Sequence, residues 1–468
     1  MQERTSAGAA ITPAQPSIWR TEVADTVRLS WPMALTQLGQ IAMMTSDLAL
    51  LGRLGEHVVA AVALAHTLLF AAFVIGMGVV SAVAPLAAQA FGARQPRMVR
   101  RSLRVGLWAA TLLGLPLGFG QIYGKDMLVA LGQSPEAALL ASDYLYGLAW
   151  CLVPAWWFIA IRGFMGAVNR PEPALWITVA AIPANLLLAY ALIYGAFAAA
   201  GAVRRWARDQ FREYRHVRGR GLDRLCFAAV QEILDPRALL ARDWALLGRL
   251  FWVGAPISGS FLLEYGLFAA AALAMGWLGT VELAAHQIAL QIASIMFMVP
   301  FGISMAATVR VGHAAGRIDS AGTRRAGFAA LVLAAAFMAT MTVLVGISRE
   351  QIPALFLGDA ANDAGATAAL AATLLLVGAS FFIADGVQTV AAGALRGLND
   401  TRVPLLFAAI CFWAIGFSAC YMLGFTLGWG AIGIWIGLSL SAMLYAVLLV
   451  WRFHRLTKRG YLPVLGTA

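Results

Sequence analysis

Long apolar runs alternate with short polar gaps along most of the chain. A helix that crosses a bilayer needs about 20 mainly apolar residues. Eleven runs meet this length, at residues 28–51, 58–82, 103–123, 138–160, 174–197, 250–275, 283–307, 326–347, 366–392, 404–426 and 430–452. The pattern predicts an all-α polytopic membrane protein.

The arginines and lysines in the polar gaps indicate which loops face the cytoplasm. They follow the second, fourth, seventh, ninth and last runs, as Arg94–Arg104, Arg162 with Arg170, Arg310–Arg325, Arg396 with Arg402, and Arg452–Arg459. The excess of positive charge on the cytoplasmic side places these loops and both termini in the cytoplasm. With eleven spans, the basic loops of the second half would face outside. A twelfth span is therefore expected between 197 and 250.

Short internal repeats divide the chain into two halves. Leu54-Gly55 is matched by Leu278-Gly279, and Gly92, followed by arginines, is matched by Gly316. The segment from Arg162 to Asn169 is matched by the segment from Ala392 to Asn399. Because the repeats run in the same order and with matching polarity, they predict two six-helix lobes in parallel orientation.

The segment at 198–242 does not supply the missing span as written. It is dense in charges of both signs, and burying them in hydrocarbon would cost about 2.5–3.5 kcal/mol each. It is either a basic cytoplasmic segment or a stretch translated in a shifted frame, and the span count favours the shifted frame. The predicted organisation is a polar cytoplasmic N-terminus (1–26), an N-terminal lobe (27–197), this anomalous segment, a C-terminal lobe (243–455) and a cytoplasmic tail (456–468).

Composition excludes several other classes of function. The chain is 61% hydrophobic and 12% charged, and its net charge of +11 lies in short loops, where it suits anionic lipid rather than nucleic acid. The four cysteines show no metal-binding spacing, and no phosphate-binding GxxxxGK[ST] loop is present, so no cofactor is expected. Residues 1–26 lack the apolar core of a cleavable signal peptide.

Two acids interrupt the apolar runs of the second half. Glu264 is the only charge between Arg249 and Glu282, and Asp385 is the sole charge of its span. A charge near the middle of a membrane helix costs about 2.5–3.5 kcal/mol on insertion scales, so such residues are usually functional. If both face one cavity, they could bind a cation or exchange protons. A protonated carboxyl that ties Glu264 to a neighbouring helix is the alternative.

The first half carries its own polar residues. Gln40 and Asp47 lie two turns apart on one face of the first span, and Asn185 lies in the fifth. They predict a second polar site, unless Asp47 is an interfacial residue. Gln287 and Gln388 are supporting polar candidates.

Several motifs resemble the multidrug and toxic compound extrusion (MATE) family, of the bacterial NorM-like kind. They are Ser46–Gly55, Val83–Ala93, Glu264–Phe268, Ala284–Leu290, Val309–Gly316 and Asp385–Asp400. The resemblance implies a twelve-helix, two-lobed antiporter. We expect it to act as a monomer in the bacterial cytoplasmic membrane. Such an antiporter exports organic cations or drugs in exchange for Na⁺ or H⁺.

The resemblance also assigns roles to single residues. Glu264 and Asp385 match the cation-coupling acids of the second lobe, Asp47 matches the acid of the first helix, and Asn185 matches an asparagine of the fifth. Phe381 stands where sodium-type members often have a tyrosine, which leaves the coupling ion open. A lipid-linked flippase would want a basic cavity, and a membrane-embedded enzyme would need a nucleophile–base or metal set in the spans.

Overall fold

The computed structural model describes residues 18–51, 56–130, 132, 135–149, 151–193, 243–357 and 365–460, and all regular structure in these ranges is helical. The anomalous segment 198–242, with the predicted twelfth span, lies outside the described residues. So do residues 1–17 and 461–468 of the two predicted tails.

Eight helices form the described part of the first half. They are α1 (Ile18–Leu51), α2 (Glu56–Ser81), α3 (Val83–Gly92), α4 (Pro96–Ile122), α5 (Gly124–Ala130), α6 (Pro135–Ala149), α7 (Leu152–Ala167) and α8 (Glu172–Ile193). The helix α1 begins inside the predicted polar N-terminus. The predicted span 138–160 is divided between α6 and α7.

Eight further helices form the second half. They are α9 (Trp244–Leu278), α10 (Thr280–Gly316), α11 (Ser320–Ser348), α12 (Gln351–Leu357), α13 (Gly365–Val377), α14 (Ala379–Gly397), α15 (Arg402–Thr426) and α16 (Gly430–Lys458). Asp243 and Asp319 start α9 and α11 by accepting hydrogen bonds from the backbone N–H groups of Leu246 and Gly322, as N-cap residues do.

Helices long and apolar enough to cross a membrane account for most of these elements. Eight helical stretches of the described residues qualify, one of which (Leu64–Gly92) runs from α2 through α3, and the pair α13–α14, bent by 49° at Gly378, is a ninth candidate. As far as the described residues reach, each of the eleven predicted spans coincides with one helix or with two consecutive helices. The expectation of an all-α polytopic membrane protein is confirmed.

The helices pack into two lobes with separate apolar cores. The core of the second half surrounds Phe382 and Trp435 and runs from α9 to α16. The core of the first half surrounds Trp156 and also takes in Leu250 and Ile257 from the start of α9. The lobes meet because α1 packs against α10 and α2 packs against α9.

Matching residues of the two repeats bring the lobes into contact. A Cβ added at Gly78 of α2 would lie 2.4 Å from the backbone of Ser258 in α9, and one added at Gly302 of α10 would lie 2.6 Å from the backbone of Ala34 in α1. The separation along the chain between Gly78 and Gly302 equals that between the repeat residues Gly92 and Gly316. Ala34 and Ser258 are separated by the same number of residues. Glycine is needed at both crossings because only a residue without Cβ lets the backbones approach this closely.

The contact between α1 and α10 lies at the end that carries the basic loops, whereas α2 and α9 stay in contact as far as the rings of Phe70 and Tyr265, whose centroids are 4.9 Å apart. The face of α10 towards α1 is buried at Gly302, Ala306, Val309 and His313. Two to five turns earlier, the same face is exposed, at Ala284, Gln287, Gln291 and Ile295. Helices α1 and α10 therefore touch at the basic end and diverge towards the other end.

Candidate cation site between α9 and α14

One amide joins the two buried acids of the second lobe. Gln388 Nε2 donates a hydrogen bond of 2.8 Å to Glu264 Oε1 on α9 and another of 2.9 Å to Asp385 Oδ1 on its own helix, α14. Asp385 and Gln388 are buried, and Glu264 is partly buried. Two carboxylates from different helices therefore meet at a single side chain in the interior of the lobe.

A positively charged side chain lies beside the two carboxylates. The guanidinium of Arg396, in the last turn of α14, is close enough to interact electrostatically with the Glu264 carboxylate. Its carbon Cζ lies 4.7 Å from the ring centroid of Phe261, within the range of a cation–π contact. The ring of Tyr445 closes the site from α16, and its hydroxyl donates to the Pro404 carbonyl at 3.3 Å.

The oxygen atoms of the site suit a hard cation. Gln388 Oε1 is buried and has no hydrogen-bond partner within the described residues. The carboxylates of Glu264 and Asp385 carry oxygen atoms, the ligand type that hard cations prefer. The same carboxylates can take up protons instead.

An aromatic layer covers the site on the side of α14. Phe381, one turn before Asp385, is buried and makes edge-to-face contacts with Phe268 and Trp435, with ring centroids 5.9 Å apart in each case. Because Phe381 has no hydroxyl group, it provides no additional oxygen donor.

The polar candidates of the first lobe form a separate cluster. Asn185 Nδ2 of α8 donates a hydrogen bond of 2.6 Å to Asp47 Oδ1 of α1, and both residues are partly buried. Tyr144 of α6 is near enough to interact electrostatically with Asp47. The structure thus brings Asp47 and Asn185 together, in the opposite lobe from Glu264 and Asp385.

The spacing of Gln40 and Asp47 predicts one polar site on α1, but the hydrogen-bond partner of Gln40 is Arg162. Arg162 Nη1 donates to Gln40 Oε1 at 3.1 Å and also to Gln37 Oε1, and Arg162 is buried within α7. Arg162 therefore belongs to a helix, and the prediction that it lies in a loop is wrong. Two glutamines one turn apart on α1 provide the neutral acceptors that keep this guanidinium inside the lobe.

Two further candidates lie apart from the acids. Gln287 is exposed on the α10 face that points between the lobes. The neighbouring His286 is buried and accepts a hydrogen bond of 3.1 Å from Trp435 Nε1, so its contacts are those of a packing residue.

Sequence reasoning missed Arg396 and Tyr445 as neighbours of the site. Arg396 was counted among the cytoplasmic loop charges, whereas the structure includes it in α14. Its position eight residues after Gln388, on the same helical face, was the available signal. Tyr445 lies in an apolar run without any distinguishing pattern.

These features define a class of protein. It is a two-lobed helical membrane protein whose lobes touch at the basic end and which keeps interacting carboxylates inside one lobe, an arrangement typical of secondary transporters.

The comparisons with known proteins identify the family. The MatE family model matches residues 32–191 and 256–422. The chain is 58% identical to a "Probable multidrug resistance protein NorM" of Rhodopseudomonas palustris, over 97% of this chain and 96% of the relative. It is 52% identical to a protein of the same name in Bradyrhizobium diazoefficiens, over 94% of each chain. The chain belongs to the MATE family of membrane transporters.

Solved structures share the fold at low sequence identity. The eukaryotic MATE transporter AtDTX14 superposes with a TM-score of 0.77 at 19% identity, covering 95% of this chain and 99% of that one. A MATE protein crystallised with MaL6 gives a TM-score of 0.80 at 17% identity, covering 94% and 97%.

Proposed function

We propose that the protein exports organic cations, including drugs, across the bacterial cytoplasmic membrane in exchange for Na⁺ or H⁺. The coupling ion binds at Glu264 and Asp385, and the drug site includes Asp47 and Asn185. The protein works as a monomer with both termini in the cytoplasm. The names of the bacterial relatives support the drug as substrate, and the single observation that carries the ion site is the contact of both carboxylates with Gln388.

The charges of the site support binding of one monovalent cation at a time. When both carboxylates are ionised, they and the guanidinium of Arg396 leave one net negative charge at a site where Asp385 is buried and Glu264 is partly buried. Binding one Na⁺ or one proton neutralises that charge. A neutral site is less costly to carry through a region of low dielectric than a charged one.

The concentration gradient of the coupling ion supplies the driving force. One positive charge that moves inward gains about 2.3 kcal/mol for each 100 mV. Export of one monovalent organic cation costs the same amount, so a one-for-one exchange is electroneutral. The ion drives drug export if it binds one orientation of the lobes more tightly than the other, because a ligand shifts an equilibrium only by its differential affinity.

Transport in proteoliposomes tests the proposal. Ethidium efflux is measured with an inward sodium gradient at equal pH and, separately, with an inward proton gradient at equal sodium. One of the two gradients should accelerate efflux, and Glu264→Gln and Asp385→Asn should each abolish that acceleration. Retention of the full acceleration by both variants would refute the proposed ion site.

Two exposed acids provide matched controls. Glu350, whose side chain is 81% exposed, and Asp126, which is exposed in α5, lie outside the proposed site. Glu350→Gln and Asp126→Asn remove the same charges by the same chemical change. Both variants should show the same gradient-driven acceleration of ethidium efflux as the unmodified protein.

A further inference from the structure

Two hydrogen bonds from a side chain of one lobe to the backbone of the other lie at the basic end of the molecule, in addition to the bond of 2.6 Å that Ser258 Oγ of α9 donates to the Ile75 carbonyl oxygen of α2. Gln89 Nε2, on α3 of the first lobe, donates to the carbonyl oxygen of Gly397 in the second lobe at 2.8 Å. His313 Nε2, on α10 of the second lobe, lies 2.6 Å from the carbonyl oxygen of Ala167 in the first lobe. Because a carbonyl only accepts, the His313 ring donates this bond.

These two bonds are equivalent under the internal repeat. His313 is as far along the chain from Gln89 as Gly316 is from Gly92. Gly397 and Ala167 each lie two residues before the asparagine that ends its copy of the second repeat, Asn399 and Asn169. Each lobe thus extends one side chain to the same backbone position of the other.

The surrounding backbone is shaped for this contact in both lobes. Asn169 and Asn399 both adopt the left-handed conformation, with φ of 59° and 58°, which is uncommon outside glycine. Asn399 Nδ2 also donates to Gln89 Oε1 at 2.7 Å, so the Gln89 amide is held at both of its ends. The second lobe therefore fixes the direction in which Gln89 points.

Small residues hold the helices close enough for these bonds to form. A Cβ at Gly92 would lie 2.2 Å from the His313 carbonyl oxygen, and one at Gly316 would lie 2.1 Å from the Gln89 carbonyl oxygen. Both bonding side chains are buried, Gln89 to 1% and His313 to 6% exposure. The bonds exist only while the lobes are in contact, since each donor and its acceptor belong to different lobes.

We propose that Gln89 and His313 form a paired latch that keeps the basic end of the transporter closed. Opening this end, as the proposed transport cycle requires, breaks both bonds and leaves the Gly397 and Ala167 carbonyls without their donors. The latch therefore favours the conformation open at the opposite end. The inference rests on the proposed function only for the requirement that the basic end opens.

The accessibility of a buried thiol measures the latch independently of transport. In a chain with its four cysteines replaced, Ala306→Cys places a thiol between the lobes, where Ala306 is fully buried. Labelling with a membrane-impermeant maleimide, applied from the side of the basic loops, reports opening of that end.

Removing either donor should accelerate labelling. His313→Leu and Gln89→Leu are each expected to raise the labelling rate about 2- to 10-fold, because each removes a net-stabilising hydrogen bond and leaves a buried carbonyl unsatisfied. The double variant, with both substitutions, should be labelled faster than either single variant. His313→Gln should restore the slow rate, because the glutamine amide can donate to the Ala167 carbonyl oxygen as Gln89 donates to the Gly397 carbonyl oxygen.

His286 provides the matched control. It is a buried histidine of the same helix, and its hydrogen bond to Trp435 stays within one lobe. His286→Leu should leave the labelling rate unchanged. Labelling at the original rate in both Leu variants at the latch, or equal acceleration by His286→Leu, would overturn the proposal. Either result leaves the ion site untouched, because the assay uses no ion or drug gradient.

Discussion

The crossing of α10 and α1 at Gly302 can be tested with one methyl group. A Cβ at Gly302 would lie 2.6 Å from both the N and the Cα atom of Ala34 and 2.7 Å from its Cβ. Carbon atoms in contact prefer separations of about 3.5–4.0 Å. Gly302→Ala therefore requires α1 and α10 to separate by about 1 Å while the basic end is closed.

The energetic consequence is large enough to change the conformation. Overpacking by a methylene in a well-packed region costs about 1–3 kcal/mol. The gain in helix propensity, about 1 kcal/mol for Gly→Ala, is the same in every conformation in which α10 stays helical, so it cancels. The closed basic end should lose population relative to the open one by a factor of about 5 to 150.

Distances between spin labels on the two lobes measure this shift. Arg97 and Ala321 are exposed near the basic end, one on each lobe, and accept labels as cysteine variants of a chain without its native cysteines. Gly302→Ala should increase a population with a longer distance. Gly346→Ala is the matched control, because a Cβ there meets nothing within 4 Å. An unchanged distance distribution in Gly302→Ala, or an equal change in both variants, would refute the reasoning.

Three further predictions concern single contacts. Asn185→Ala removes the donor to Asp47 and should raise the KM of drug efflux severalfold without changing its ion dependence; an unchanged KM would count against a substrate role. Gln37→Leu deprives the buried Arg162 of an acceptor at a cost of about 1–3 kcal/mol, so the melting temperature in detergent should fall, and a rise would contradict this account. Asp243→Ala removes the N-cap of α9 at a cost of about 0.5–2 kcal/mol, and amide exchange in the first turn should accelerate rather than stay unchanged.

The sequence was sufficient to predict the helices and the most unusual side chains. Runs of apolar residues identify spans because the bilayer sets their length. Glu264 and Asp385 stood out because a lone acid in such a run is costly. Their common contact with Gln388, however, depends on how α9 packs against α14, and the helical spacing of α14 alone only places Gln388 one turn from Asp385.

The two buried arginines show where the sequence rules fail. Positive charge near the end of a span indicates a cytoplasmic loop, and this rule assigned Arg162 and Arg396 to loops. Both belong to helices that continue past the apolar run. Arg162 stays buried because Gln37 accepts from it, and Arg396 stays near Glu264. Such compensation arises from other helices, which a local charge pattern does not include.

Helix irregularities were also beyond prediction. The stretches Ala409–Phe417 and Met422–Thr426 of α15 adopt π-helical geometry, and the span 366–392 bends at Gly378. The repeats of Gly92 with Gly316 were visible in the sequence. The hydrogen bonds that Gln89 and His313 make across the lobes were not, because they depend on how the lobes meet.

The central claim, that Glu264 and Asp385 carry the coupling ion, is tested most directly by the ion movement that accompanies drug exit. Proteoliposomes are loaded with ethidium, without an initial sodium or proton gradient, and entry of each ion is followed as the dye leaves. The account predicts that dye exit drives entry of one of the two ions, and that Glu264→Gln and Asp385→Asn abolish this entry while Asp126→Asn does not. Ion entry that continues at the original ratio to dye exit in both site variants would contradict it.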